Sequence, residues 1–201
     1  QAVSVLPLSG RLWAVYLRAI TRCQRPKSHM LALYEKVAHP HGVALLGGAS
    51  LLSLLLARID CERAYAAMEL AHAQKKSPDQ VLVVTEMDHF MHVYELFLHS
   101  ISAMQRLPAS EQDASVALER CAVDWIERAA RALAQTAGLE ASAGLYPLAD
   151  DVWTHALEQH PMHATAYLEA AQYFQRRDDD KRARQTYKAA MAKQGLDNKA
   201  S

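Results

Sequence analysis

The chain has 201 residues, with 22 Lys and Arg balanced by 22 Asp and Glu. A hydrophobic content of 51% excludes wholesale disorder, and the even charge argues against a polyanion-coating chain. Only 7 Gly and 7 Pro stand among many Ala, Leu, Glu, Arg and Gln, which disfavours a β-sandwich, collagen or a low-complexity chain and favours helices.

The expected elements run as follows. Trp13, Tyr16, Leu17 and Ile20 recur at i, i+3, i+4, i+7, the spacing of one helix face. Arg25-Pro26 breaks that helix, and Met30, Leu33, Tyr34 and Val37 repeat the pattern. His39-Pro40-His41-Gly42 reads as a turn before the apolar run Gly42–Ala57. That run holds 16 residues, Gly47, Gly48, Ser50 and Ser53 among them. A spanning helix needs about 20 apolar residues, so the run is expected to be a buried helix and no membrane span is expected. Ser77-Pro78 marks the next break. The short Val81–Val84 run leads into the stripe Phe90, Val93, Tyr94, Phe97 and is read as helix. Leu107-Pro108-Ala109-Ser110 offers Ser110 as an N-cap for a helix carrying Leu118, Cys121, Ala122 and Trp125. Breaks at Gly138–Gly144, Tyr146-Pro147 and His160-Pro161 follow. Two further stripes close the chain: Tyr167, Ala170, Ala171, Phe174 and Ala183, Thr186, Tyr187, Ala190. Asp178-Asp179-Asp180 lies between them, and its carboxylates suit a helix N-terminus. About nine helices with short connections predict antiparallel hairpins, and no Pro/Ser-rich linker divides residues 1–201, so a single helical domain is expected. The chain begins without Met and reads as a piece of a longer protein.

The hairpins resemble one another. Trp13 to Tyr34 spans 21 positions and Tyr167 to Tyr187 spans 20. Trp125 to Trp153 spans 28, the excess falling in the Gly138–Gly144 stretch, read as a loop insertion. Ala149 precedes Trp153 by four, as Ala183 precedes Tyr187, and such small residues let paired helices approach closely. A single hairpin cannot bury both of its faces, whereas stacked hairpins can.

These residues resemble the half-a-TPR (HAT) repeat. Trp13-x-x-Tyr16 with Tyr34-Glu35-Lys36 and Pro40 matches its two helices. So do Tyr167-Leu168-Glu169 with Ala183-Arg184-x-x-Tyr187, and Trp125 with Trp153 and Pro161. Residues 41–110 lack the aromatic signature. The resemblance implies an all-α superhelix of stacked antiparallel hairpins, acting as a non-catalytic protein scaffold. It implies further a nuclear RNA-processing assembly, most like the HAT region of small-nuclear-RNP recycling factors. Protein partners and a homodimer follow from the same resemblance, and no cofactor does. A TPR-type adaptor outside RNA processing is the first alternative. A helical-bundle metal protein is the second.

The second alternative rests on Glu69-x-x-His72 and Glu86-x-x-His89, with His92 and Glu95 nearby. Paired Glu-x-x-His motifs facing inward are the ligand pattern of di-iron bundles. Such a site also wants a Glu from each of two other helices, and none is evident, so solvated or capping histidines are expected. Cys23, Cys61 and Cys121 are sparse and form no CxxC pair, so buried thiols in a reducing compartment are expected. No nucleophile or phosphate-loop motif appears, so no enzyme activity is expected.

Charge is uneven: residues 1–36 carry a net +5 and residues 77–127 a net −7. Steering of a protein partner would fall to Arg18, Arg22, Arg25, Arg176, Arg177, Arg182 and Arg184. No row of aromatics interleaves with these bases, so direct RNA contact is not expected. The Trp and Tyr residues are expected in the core.

Overall fold

In a computed structural model of the protein, the residues described are 9–39, 45–76, 82–137 and 142–197. Among them are eight α-helices, one 3₁₀ turn and no strand. We number the helices α1 (Gly10–Arg22), α2 (Lys27–Val37), α3 (Gly48–Lys76), α4 (Leu82–Met104), α5 (Gln112–Ala137), α6 (Tyr146–Gln159), α7 (Ala164–Arg176) and α8 (Asp180–Asp197). The all-α expectation holds. Pro40, the Ser77-Pro78 turn and most of the Gly138–Gly144 stretch lie outside the described residues. None of the described helices is long and apolar enough to cross a membrane. The chain divides into two compact units, residues 1–118 and 119–201, with the division inside α5.

In the first unit, α1 packs along α3, α2 folds back on α1, and α3 pairs with α4. The apolar stripes explain this: Ala14, Leu17 and Ile20 of α1 are buried, as are Leu51, Leu54, Leu55 and Ile59 of α3. Phe90, Val93, Tyr94 and Phe97 of α4 are buried as their spacing predicts. Within the Gly42–Ala57 run, α3 begins at Gly48 and then continues to Lys76, while residues 42–44 lie outside the described residues. Ser9 caps α1, its hydroxyl accepting from the Leu12 N–H at 3.4 Å. Gly10 is required at the first turn of α1. A Cβ there would stand 2.1 Å from the Ser50 carbonyl oxygen, so the two helix backbones touch directly. The Glu111 carboxylate accepts the Gly48 N–H and so caps α3. Ser110 is exposed within the 3₁₀ turn Ala109–Glu111, and is not the N-cap expected of it: α5 begins only at Gln112.

In the second unit, α7 pairs closely with α8 and touches α6. Ala149, Ala156, Ala170, Ala171, Ala183 and Ala190 are all buried. The small side chains on α7 and α8 let those two helices lie close, as the Ala183 spacing predicts; Ala149 is buried too, but α6 makes no comparably close pairing among the described residues. Asp179 caps α8: its carboxylate accepts the Arg182 N–H at 3.0 Å. Asp178 takes φ 57° to make the tight corner before it, a conformation Asp tolerates better than most residues. Pro147 stands in the first turn of α6, where its missing N–H costs nothing.

Candidate functional site

The repeat residues divide between core and surface. Trp125, at 8% exposure, and Trp153, at 1%, are core, as expected. Tyr167 and Tyr187 are half-buried. The Tyr167 hydroxyl donates to the Leu157 carbonyl at 3.4 Å, and that of Tyr187 donates to the Gln175 side chain at 3.2 Å. Trp13 is half-buried and meets Tyr16 edge-on at 6.0 Å. Tyr16 departs from the core expectation: it is 39% exposed. It lies at i+3 from Trp13 but on the margin of the stripe that Leu17 and Ile20 bury. Pro161 is exposed in the α6–α7 corner.

Most of the seven arginines expected at a partner surface are engaged within the fold. Arg18 pairs with Asp60 of α3 at 2.9 Å. Arg176 pairs with Glu127 at 3.2 Å, and Arg120 with Glu169 at 3.0 Å. Glu169, a repeat-motif position, therefore ties α7 to α5. The Arg177 guanidinium lies 3.4 Å over the Tyr146 ring. Arg182 bridges Asp150, at 2.8 Å, and Asp179, and covers the Phe174 ring at 4.6 Å. Arg184 meets only Asp180, at 3.5 Å, with both side chains exposed. Arg22 and Arg25 are exposed and have no carboxylate partner among the described residues. A groove of about 690 Å³ opens beside Arg25, at the α1–α2 corner.

Two buried carboxylates were missed by reading the sequence. Glu62 of α3 is 2% exposed. It meets Arg58 at 2.7 Å, Lys27 of α2 at 2.8 Å and His92 of α4 at 3.7 Å. One buried charge thus joins three helices. Arg58 lies 5.0 Å over the Tyr34 ring, which places that repeat-motif tyrosine against the cluster. Burial there raises the Tyr34 pKa above its ordinary value, against the opposing pull of Arg58. Glu119 of α5 is fully buried, and His160 at the end of α6 is 3% exposed. The His160 Nε2 stands 3.2 Å from Glu119 Oε1. Glu119 Oε2, His160 Nδ1 and Trp153 Nε1 are buried without a hydrogen-bond partner. The signal for both acids was positional. Glu62 falls in register with Leu55 and Ile59, and Glu119 with Val116 and Val123, so each is a charge on an apolar stripe.

A third network joins α6, α7 and α8. The Tyr173 hydroxyl donates to Asp150 at 2.7 Å, and Asp150 also takes Arg182. Burial and the hydrogen bond to Asp150 push the Tyr173 pKa well above its ordinary value. Two hydrogen bonds from Arg182, first from its backbone N–H and then from its side chain, hold the Asp179 carboxyl below the usual range.

The described side chains of the Glu-x-x-His motifs do not converge inward; that of Glu86 lies outside the described residues. His89 stands 3.6 Å from Glu69, but the Glu69 side chain is 59% exposed, and His92 turns to Glu62 instead. His72 and Glu95 are exposed. Among the described residues no group of three or more His, Cys, Asp or Glu comes together to hold a metal. The expectation of buried thiols fails at Cys23, which is exposed at the end of α1. Cys61 is buried and Cys121 half-buried. Burial raises the Cys61 pKa.

The fold and these networks define an all-helical protein of two compact units, each tied across its helices by a buried carboxylate. Comparison with protein-family models, with curated proteins and with solved structures finds no match.

Proposed function

We propose that this chain is a protein-interaction scaffold, without catalytic activity, built of HAT-type hairpins stacked into a TPR-like superhelix. On this reading it serves a nuclear RNA-processing assembly, in pre-mRNA splicing and small-nuclear-RNP recycling, and its partners are proteins of that assembly. The observation that carries the reading is the recurring aromatic hairpin. Tyr167 and Tyr187 lie on the paired helices α7 and α8, which close over Ala170, Ala171, Ala183 and Ala190. Trp13 and Tyr34 lie on α1 and α2, which also fold back on one another. Hairpins of this kind leave outward helix faces free for partners. The step from hairpins to RNA processing is an analogy of family, and partner identity decides it.

The test is a pull-down from nuclear extract with the whole chain as bait, identifying both proteins and RNAs. Spliceosomal proteins with small nuclear RNA support the proposal. Cleavage factors or pre-ribosomal RNA keep the scaffold and move the pathway. Cytosolic partners alone overturn the RNA-processing part. The homodimer belongs to the same proposal, and a monomer in light scattering at micromolar concentration overturns it.

A further inference from the structure

We infer that the groove at the α1–α2 corner is a docking site for an acidic peptide segment carrying an aliphatic or aromatic side chain between its carboxylates. This rests on the scaffold reading and names the chemistry of the partner.

The groove encloses about 690 Å³, room for a few side chains. Tyr16, Ile20 and Cys23 of α1 and its end line one side; Pro26 and His29 line the other; Arg25 stands at the corner. Its lining is therefore mixed, with apolar Ile20 and Pro26 beside Ser28, the Tyr16 and His29 rings and the Arg25 cation, and Arg22 lies just outside it on the last turn of α1. Tyr16 is the large aromatic of the α1 stripe that the core leaves 39% exposed, and it faces this groove.

The charge points to the occupant. Arg18, Arg58, Arg120, Arg176 and Arg182 all meet carboxylates of their own chain, whereas Arg22 and Arg25 meet none among the described residues. Glu35 is the only acid in residues 1–36. Lys27, by contrast, is already engaged by Glu62. The corner is also held in place: the Tyr65 hydroxyl donates to the Arg25 carbonyl at 2.8 Å, and Gln24 makes the turn at φ 53°. A fixed backbone under an unpaired guanidinium lowers the ordering cost of binding. The first turn of α2 has no acid and no side-chain cap, which leaves the positive end of that helix unopposed.

An acidic peptide suits this better than RNA. A single-stranded RNA groove wants a row of aromatic platforms along a cationic track. Here Tyr16 and His29 offer two rings and no row of them, and Ile20 and Pro26 suit a branched or aromatic side chain instead.

The experiment is fluorescence anisotropy on the whole chain with a labelled short peptide of alternating glutamate and leucine. The same peptide with glutamine for glutamate, and an oligouridine, serve as comparisons. The acidic peptide should bind, and Arg22→Glu with Arg25→Glu should weaken it by about tenfold or more through lost attraction and added repulsion. Arg184→Glu, on a charge as exposed as these, should leave binding unchanged. Bound peptide should also slow alkylation of Cys23 by iodoacetamide, while the Cys23→Ser chain gives the background from the other two thiols. Helical circular dichroism checks the fold of each variant. Equal binding of the glutamine peptide, preference for oligouridine, absence of binding, or unchanged Cys23 alkylation would each overturn the inference. If protein partners persist in the pull-down while the acidic peptide fails, the groove is lost and the scaffold stands. If no protein partner is found, the scaffold reading itself is lost.

Discussion

Glu62 in the first unit and Glu119 in the second solve the same problem in opposite ways. Each is a carboxylate placed in an apolar stripe. Glu62 is compensated by two cations and an imidazole that reach it from α2, α3 and α4, two of them partly in solvent. Among the described residues Glu119 has His160 alone, which is nearly as buried as itself. A charge with several partners tolerates the loss of one; a charge with a single partner does not. The lesson is that the first unit carries a redundant clasp and the second a brittle one.

The largest expected effect follows directly. His160→Ala strands the Glu119 carboxylate and should cost about 3–5 kcal/mol in urea denaturation, the range for breaking a buried pair. Arg58→Ala removes the closest partner of Glu62 but leaves Lys27 and His92, so its cost should be smaller, about 1–3 kcal/mol. Equal costs at the two sites would break the comparison. Gly10→Ala tests the packing of the first unit apart from its charges. The new methyl group would meet the Ser50 backbone rather than a flexible side chain, so about 1–3 kcal/mol should be lost despite the better helix propensity of Ala.

A pH experiment sharpens the picture of the second unit. The folded Tyr173 pKa lies above its unfolded value, so the folded state holds this proton more tightly. Its contribution is complete below about pH 10 and is lost as the pH rises beyond that, because the unfolded chain releases the proton first. Unfolding free energy should fall by about 1 kcal/mol per pH unit above pH 10, and Tyr173→Phe should lessen that slope. An unchanged slope would place the alkaline sensitivity elsewhere. The smallest effect belongs to Arg184→Ala: its exposed pair with Asp180 should contribute no more than about 0.5 kcal/mol, within the scatter of a thermal melt.

The sequence carried the helices because period and breaks agree. The stripes at Phe90–Phe97 and Ala183–Ala190 and the Asp179 cap were legible from spacing and chemistry, whereas Tyr146-Pro147, read as a break, is the first turn of α6. Tyr16 misled because i+3 spacing places a residue near a buried stripe without fixing which edge of it is covered. Ser110 misled because Pro108 leads into a 3₁₀ turn before the α-helix begins, and Glu111 caps another helix instead. The arginines were legible as charges but not as pairs. Arg18 and Asp60, or Arg176 and Glu127, are far apart in the chain, and only folding decides which guanidinium is spent internally. The same holds for His92: its Glu-x-x-His neighbourhood suggested a metal, whereas the α3–α4 pairing turns it toward Glu62. A buried acid could have been suspected at Glu62 and Glu119 from their register alone, but its partners could not.

The most direct test of the scaffold account compares the nuclear proteins held by the wild-type chain with those held by the Arg22→Glu, Arg25→Glu chain, quantified by mass spectrometry. The account predicts a set of RNA-processing proteins on the wild type, with its acidic members depleted on the variant while the fold is retained. Identical protein sets on both chains would contradict the groove, and the absence of any RNA-processing protein from either would contradict the function proposed.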